Sequence, residues 1–205
     1  MLAQLENLVL ATRNKGKIVE MTNLLHGCGV IIQSLNDFAE IPEVVEDGNT
    51  FEANALKKAR FVASTLDLAA LADDSGLCVD ALSGRPGVLS ARYSGPNSDD
   101  RHRYLKVLDE MTNIEDPFRT ARFVCVLTLV PPNGEEKLFH GVCEGRILKE
   151  PRGTGGFGYD PIFYFEEFGM SFGEMDLETK NLVSHRGKAL RLFADFVKSM
   201  RRSSE

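Results

Sequence analysis

Apolar positions along the chain change period several times, and each change marks an element. Residues 7–12 (NLVLAT) form an apolar run of strand length. Ile18, Met21, Leu24 and Leu25 then recur at helical spacing, and Gly27 and Gly29 stop that helix. Residues 30–35 read as a second strand, so the chain opens strand–loop–helix–strand, the usual start of an α/β domain. An acidic, irregular stretch covers 36–49. The helix after it carries an apolar stripe of Phe51, Ala55, Ala59, Val62, Ala63 and Leu66, with Asn49 or Thr50 as its cap and Glu52 in its first turn. Residues 68–72 form a buried strand that runs into Asp73 and Asp74. Residues 77–82 read either as its continuation or as a hairpin partner. Glycine and proline make 83–97 a loop, and Ser98 caps a helix reaching Met111 whose inward positions are Tyr104, Leu105, Leu108 and Met111. Two long β-rich runs, 119–130 and 137–148, flank Pro131-Pro132-Asn133-Gly134, a hairpin signal. A glycine-rich loop at 153–161, a short strand at 162–165, a last helix over 184–200 and a frayed tail at 201–205 complete the chain. Helices alternate with strands early and a hairpin comes later, so the pattern predicts a mixed sheet.

At 205 residues the chain is long enough for one domain, 1–205, with room for two lobes. Hydrophobic residues make up 43% and charged residues 26%, which excludes bulk disorder. The net charge of −6 argues against a protein that coats nucleic acid, which needs a broad basic surface. A small phosphate ligand needs only a local cluster of cations. Cys28, Cys78, Cys125 and Cys143 form no C-x-x-C pair, so they read as reduced, buried thiols. No signal peptide pattern and no apolar run of membrane-spanning length occur in the sequence. The expectation is a cytoplasmic protein that engages neither nucleic acid nor membrane.

Four loops carry chemistry. Thr12, Arg13, Asn14, Lys15, Gly16 and Lys17 join a strand to a helix, where free N–H groups and the helix dipole favour an anion. The loop is not a phosphate-binding loop of the G-x-x-x-x-G-K-[ST] type, since Ala11 and Ile18 stand at two of its required positions. Asp73-Asp74-Ser75-Gly76 ends a very apolar strand. Two adjacent carboxylates there suit a hard divalent cation such as Mg²⁺, although the same four residues make a good turn. Strand neighbours point to opposite faces, so one aspartate faces a ligand and the other binds structure. The third loop, from Gly153 to Pro161, lets backbone approach a ligand, and Phe157 or Tyr159 can stack on a flat ring. The fourth group is Lys180 with Ser184, His185, Arg186, Gly187 and Lys188 at the start of the last helix. Together they describe a nucleotide polyphosphate site.

The order T-x-N-x-G-K, T-F-x-x-N-A-x-x-K-A, A-D-D-S-G-L, G-R-P-G-x-x-S-A-R-Y-S-G, G-G-F-G-Y-D-P-I-F and S-H-R-G-K-A-L resembles the inosine triphosphate pyrophosphatase, or Ham1-like, family. The matching blocks run from Thr12 to Leu190. The resemblance implies an α/β fold with a long mixed sheet flanked by helices and a cleft between two lobes. It implies hydrolysis of the purine nucleoside triphosphates ITP, dITP and XTP to the monophosphate and pyrophosphate, a Mg²⁺ requirement and a homodimer. By motif position, residues 12–17 hold phosphates. Asp74 binds Mg²⁺ and acts as general base, with Glu46 as a second metal ligand, and Ser75 touches the substrate. Phe157, Gly158, Tyr159, Asp160, Lys180, His185 and Arg186 embrace the base, sugar and phosphates. Two positions depart from the family pattern: Glu46-Asp47-Gly48 stands for the common E-T-G, and Leu89 for a common tyrosine. The rival reading is a purine-nucleotide-binding regulator without activity, which should lack the carboxylates present here.

Overall fold

The structure, a computed structural model, describes residues 5–38, 41–96 and 98–202. Glu40 of the acidic stretch, Asn97 at the end of the glycine–proline loop and 203–205 of the tail lie outside the described residues, as do residues 1–4. Seven strands make a mixed sheet in the order β2-β1-β3-β4-β5-β6-β7. They are β1 (Asn7–Leu10), β2 (Ile31–Ser34), β3 (Ala69–Val79), β4 (Thr120–Val130), β5 (Lys137–Ile147), β6 (Phe163–Phe165) and β7 (Met170–Ser171). The helices are α1 (Lys15–Leu25), α2 (Phe51–Leu66), α3 (Asp100–Glu110), α4 (Leu177–Val183) and α5 (His185–Arg202). The chain gathers into two compact units. One comprises the residues up to Asp74, Cys125–Gly141 and the chain from Arg186 onward; the other comprises Ser75–Val124 and Val142–His185.

In the first unit β1 pairs in parallel with both β2 and β3, with Leu8 opposite Ala69 and Leu10 opposite Leu71. The loop leaving β1 after Leu10, opposite Leu71, therefore emerges beside the Asp73-Asp74 stretch of β3. The end of the sheet that β1 leaves is where parallel sheets place ligand sites. β3 is buried on both faces, as its near-continuous apolar run requires. Its alternation sorts residues between two cores. Ala69 and Leu71 join Leu8, Leu10, Met21, Leu25, Leu190 and Phe193 on the side of α1 and α5, while Ala70 and Ala72 join Val9, Ala59, Val62 and Ala63 of α2. The Thr50 hydroxyl caps α2 by accepting from the Ala53 N–H at 3.1 Å, and Asp67 ends it in the left-handed region at φ 53°.

The second unit packs Leu77, Val79, Val107, Met111, Phe123, Ile147, Phe163 and Phe172 into its own core. Here β5, β6 and β7 run antiparallel. Arg119 is buried beneath this unit, where its guanidinium donates to the carbonyls of Met111, Ile114, Ile147 and Leu148 and so ties α3's end to the strands.

Three local expectations change. Asp-Asp-Ser-Gly is not a turn, because β3 continues through it to Val79. The cap of α3 is Asp99, which accepts from the His102 N–H at 2.8 Å, rather than Ser98, whose hydroxyl donates to the Gly95 carbonyl. The stretch at 83–97 is not wholly irregular, since Gly87–Arg92 winds into a 3-10 turn. All four cysteines are free thiols, with Cys28, Cys125 and Cys143 buried. No helix among the described residues is long and apolar enough to cross a membrane.

Tyr93 gives this second core an alkaline limit. Burial, and then its hydrogen bond to the Glu110 carboxylate at 2.6 Å, push its pKa up to about 12. A phenol whose pKa rises on folding contributes stability that is complete below its ordinary value of 10.0 and fades as pH climbs through about 12. Tyr93→Phe is expected to remove one late step from the alkaline phenolate absorbance titration. Loss of a step near 10.0 instead would show that the Tyr93 phenol is not shifted.

Candidate active site

The site of the first unit is built around the two adjacent aspartates. Because neighbours on β3 face opposite ways, Asp73 enters the α1–α5 layer and Asp74 the α2 layer. Their surroundings then set opposite acidities. Burial raises the pKa of Asp73, but Arg186 and Lys17 outweigh it and hold the carboxyl well below the usual range. The Arg186 Nε lies 2.6 Å from Asp73 Oδ2, and Lys17 pairs with Oδ1. Arg186 is 2% exposed and its Nη1 reaches Glu20 of α1 at 2.5 Å. Glu20, Arg186, Asp73 and Lys17 thus form a buried chain of alternating charge that fixes Lys17 at the start of α1.

Asp74 meets different partners. Its Oδ2 accepts from the Asn54 amide at 3.2 Å and its Oδ1 from the Lys58 ammonium at 3.2 Å. Lys58 also donates to Glu46 Oε1 at 2.5 Å and to the Asp73 carbonyl at 2.8 Å. Burial raises the pKa of Asp74, Lys58 offsets it by less, and Glu46 raises it again, so this carboxyl is the more basic of the pair. Burial would lower Lys58, yet Asp74 and Glu46 outweigh it and keep the ammonium charged. Asn54 and Lys58 lie four residues apart on one face of α2. Both belong to the T-F-x-x-N-A-x-x-K-A block, whose helical spacing was the available signal for them; sequence reasoning gave neither a role.

Two carboxylates, Glu46 and Asp74, converge on one positive centre, the Lys58 ammonium. Hard oxygen donors gathered about a cation are what a Mg²⁺ site offers, since that ion commonly takes one or two carboxylates together with phosphate oxygens and water. The residues present fit such an ion.

Beside them, the loop after β1 opens α1. The Asn14 side chain caps the helix by accepting from the Lys17 N–H at 3.1 Å, and Thr12 Oγ1 accepts from the Asn14 N–H at 3.1 Å. The first-turn N–H groups of Lys15 and Gly16 have no acceptor within the helix, which is the geometry an anion uses. In the same loop the Arg13 guanidinium donates to the carbonyls of Leu35 at 2.7 Å and Ile41 at 3.1 Å, and so braces neighbouring chain.

In the second unit Ser75 follows Asp74 along β3 and is half-buried. The glycine-rich loop there is held from inside. Gly156 has φ +70°, and a Cβ on it would run into the Asp160 carboxylate. Asp160 Oδ2 accepts from the Phe157 N–H at 2.8 Å and pairs with the Lys180 ammonium at 2.5 Å. That ammonium also sits 4.7 Å from the centre of the half-buried Phe157 ring. Tyr159 is buried and its hydroxyl donates to the Ser90 carbonyl at 2.8 Å. Of the two aromatics that could stack on a base, Phe157 is the one left partly exposed. His185 is buried with its ring stacked on Phe123 at 4.6 Å. Asp160, Lys180, Tyr159 and His185 are thus buried in this unit, as Arg186 is in the other; the motif places all of them against substrate.

The fold and these groups define an α/β protein in which a cation-rich, side-chain-capped helix start lies beside a pair of adjacent aspartates. A Ham1 family model matches residues 8–196, and the chain belongs to that family. A dITP/XTP pyrophosphatase of Geobacter sulfurreducens is 54% identical over 188 residues, covering 92% of this chain and 94% of that protein. One from Shouchella clausii is 44% identical over 196 residues, covering 96% and 98%. Among solved structures, a HAM1 protein from Coxiella burnetii matches with a TM-score of 0.86 at 42% identity, covering 94% of this chain and 98% of that one.

Proposed function

We propose that this chain is a nucleoside triphosphate pyrophosphatase that hydrolyses ITP, dITP and XTP to the monophosphate and pyrophosphate, clearing deaminated purines from the nucleotide pool. The observation that carries this reading is the opposite tuning of Asp73 and Asp74. One acid is locked as a structural anion; the other is kept basic and shares Lys58 with a second carboxylate. Asp74 is the proton acceptor for the attacking water, which adds to the α-phosphorus as pyrophosphate leaves. Thr12, Asn14, Lys15, Gly16 and Lys17 bind and orient the phosphates. Ser75 touches the substrate, and Phe157 with the Gly158 backbone takes the base. Asp160, Lys180, Tyr159, His185, Arg186 and Arg13 hold these groups in place. Glu46 and Asp74 are the residues that would hold Mg²⁺, whose charge offsets that of the triphosphate. Self-association as a homodimer and a cytoplasmic location belong to the same proposal and rest on family resemblance and on the sequence.

The test is phosphate and pyrophosphate release from ITP, dITP, XTP, ATP and GTP, with Mg²⁺ and with EDTA. Pyrophosphate from the first three, abolished by EDTA, is the expected result. Orthophosphate release would mean cleavage at the outer phosphates. No hydrolysis by folded protein that still binds nucleotide would mean a regulator.

A further inference from the structure

We infer that Asp100, the first residue of α3, is a positioning residue for base recognition: its carboxylate holds the backbone of the Phe157 loop and so sets the Phe157 ring. This rests on the reading that Phe157 stacks on the purine. Asp100 lies 57 residues before Phe157 in sequence and belongs to no block that suggested substrate binding. In the structure its Oδ2 accepts from the Gly158 N–H at 2.7 Å. Its Oδ1 pairs with Arg103, one turn along α3, and Arg103 also donates to the Ala91 carbonyl. The carboxylate is thereby oriented by its own helix before it reaches the loop.

Two consecutive N–H groups are held by two different acids. Asp160 takes the Phe157 N–H and Asp100 takes the Gly158 N–H. A hydrogen bond to an ionised acceptor is roughly twice as strong as one between neutral groups. The clamp matters because this segment is rich in glycine. Gly153, Gly155, Gly156 and Gly158 fall within six residues, and three of them sit at positive φ. Glycine loses the most conformational freedom when ordered. A loop ordered only on binding would weaken affinity for the base, whereas a loop ordered beforehand does not. Asp160 holds the peptide before Phe157; Asp100 holds the peptide after it, and the two together set the ring's place by the Lys180 ammonium.

The experiment compares Asp100→Ala, Asp100→Asn and Phe157→Ala. Steady-state kinetics on ITP and inhibition by pyrophosphate, which carries no base, are the readouts. Asp100 also places a negative charge in the first turn of α3, where it favours the helix. Both Asp100 variants lose that charge, but only alanine loses the acceptor. The expected result is a KM for ITP raised about tenfold in Asp100→Ala and within about threefold of wild type in Asp100→Asn. kcat should stay within about twofold, and inhibition by pyrophosphate should be unchanged. Phe157→Ala should raise KM as well. If Phe157→Ala raises KM and Asp100→Ala does not, the inference is overturned while the base-stacking reading stands. Equal KM increases in both Asp100 variants would overturn it too, since the helix charge would then be the cause. If Phe157→Ala leaves KM unchanged, the stacking reading fails and the inference falls with it.

Discussion

Asp74→Asn is expected to lower kcat for ITP hydrolysis by about 100-fold or more, the range of a lost general base, while the protein stays folded. The substitution keeps size and shape and removes the group whose surroundings make it basic. Stability should not suffer, and the sign follows from the pKa. A carboxyl whose pKa rises on folding opposes folding once pH exceeds its unfolded value, because burial disfavours the charged form. At neutral pH its removal therefore leaves the fold as stable as before, or more so. Steady-state kinetics beside a thermal melt check both halves. Near-normal kcat would remove Asp74 from the reaction, and a collapsed melting temperature would show that the acid is structural after all.

Arg186→Met should have the opposite profile, with a large loss of stability. The guanidinium is fully buried between Asp73 and Glu20. Its removal takes the guanidinium away from both buried acids at once. Breaking a buried ion pair in this way typically costs about 3–5 kcal/mol, a large part of a domain's total stability. The loss should shrink in acid. Asp73 has a depressed pKa in the folded protein, so its contribution is complete above the ordinary value of 3.8 and is lost as pH falls toward the folded one. Urea denaturation at neutral pH and at a pH well below 3.8 tests this. A variant within about 1 kcal/mol of wild type at neutral pH, the size of an exposed pair, would mean that Arg186 faces solvent or ligand.

These two residues also show where sequence reasoning reached and where it stopped. The strand-length apolar run before Asp73, the Thr50 cap and the helical stripe of Ala55, Ala59 and Val62 were all legible, because period and capping are local properties. The division of labour between Asp73 and Asp74 was legible in principle from strand alternation, but which acid faces which layer depends on the helices that pack there. Lys180, His185 and Arg186 in one group and Asp160 in the glycine-rich loop were legible as candidate site residues, but their burial was not, because charge in sequence says nothing about burial. Lys58 and Asn54 stood in a quoted block without a role, since the acid they serve lies 16 and 20 residues away along the chain. Asp-Asp-Ser-Gly has good turn chemistry, yet it lies in a strand: sheet pairing and burial on both faces override local preference.

The alternation along β3 has a consequence for how such a chain can vary. Inserting or deleting one residue between Ala69 and Asp73 would exchange the faces of the two aspartates. The acid meant to stay basic would meet Arg186, and the acid meant to be locked would face Lys58 and Glu46. The segment works as a ruler: its letters can be exchanged for others of like size, but its length cannot change by one.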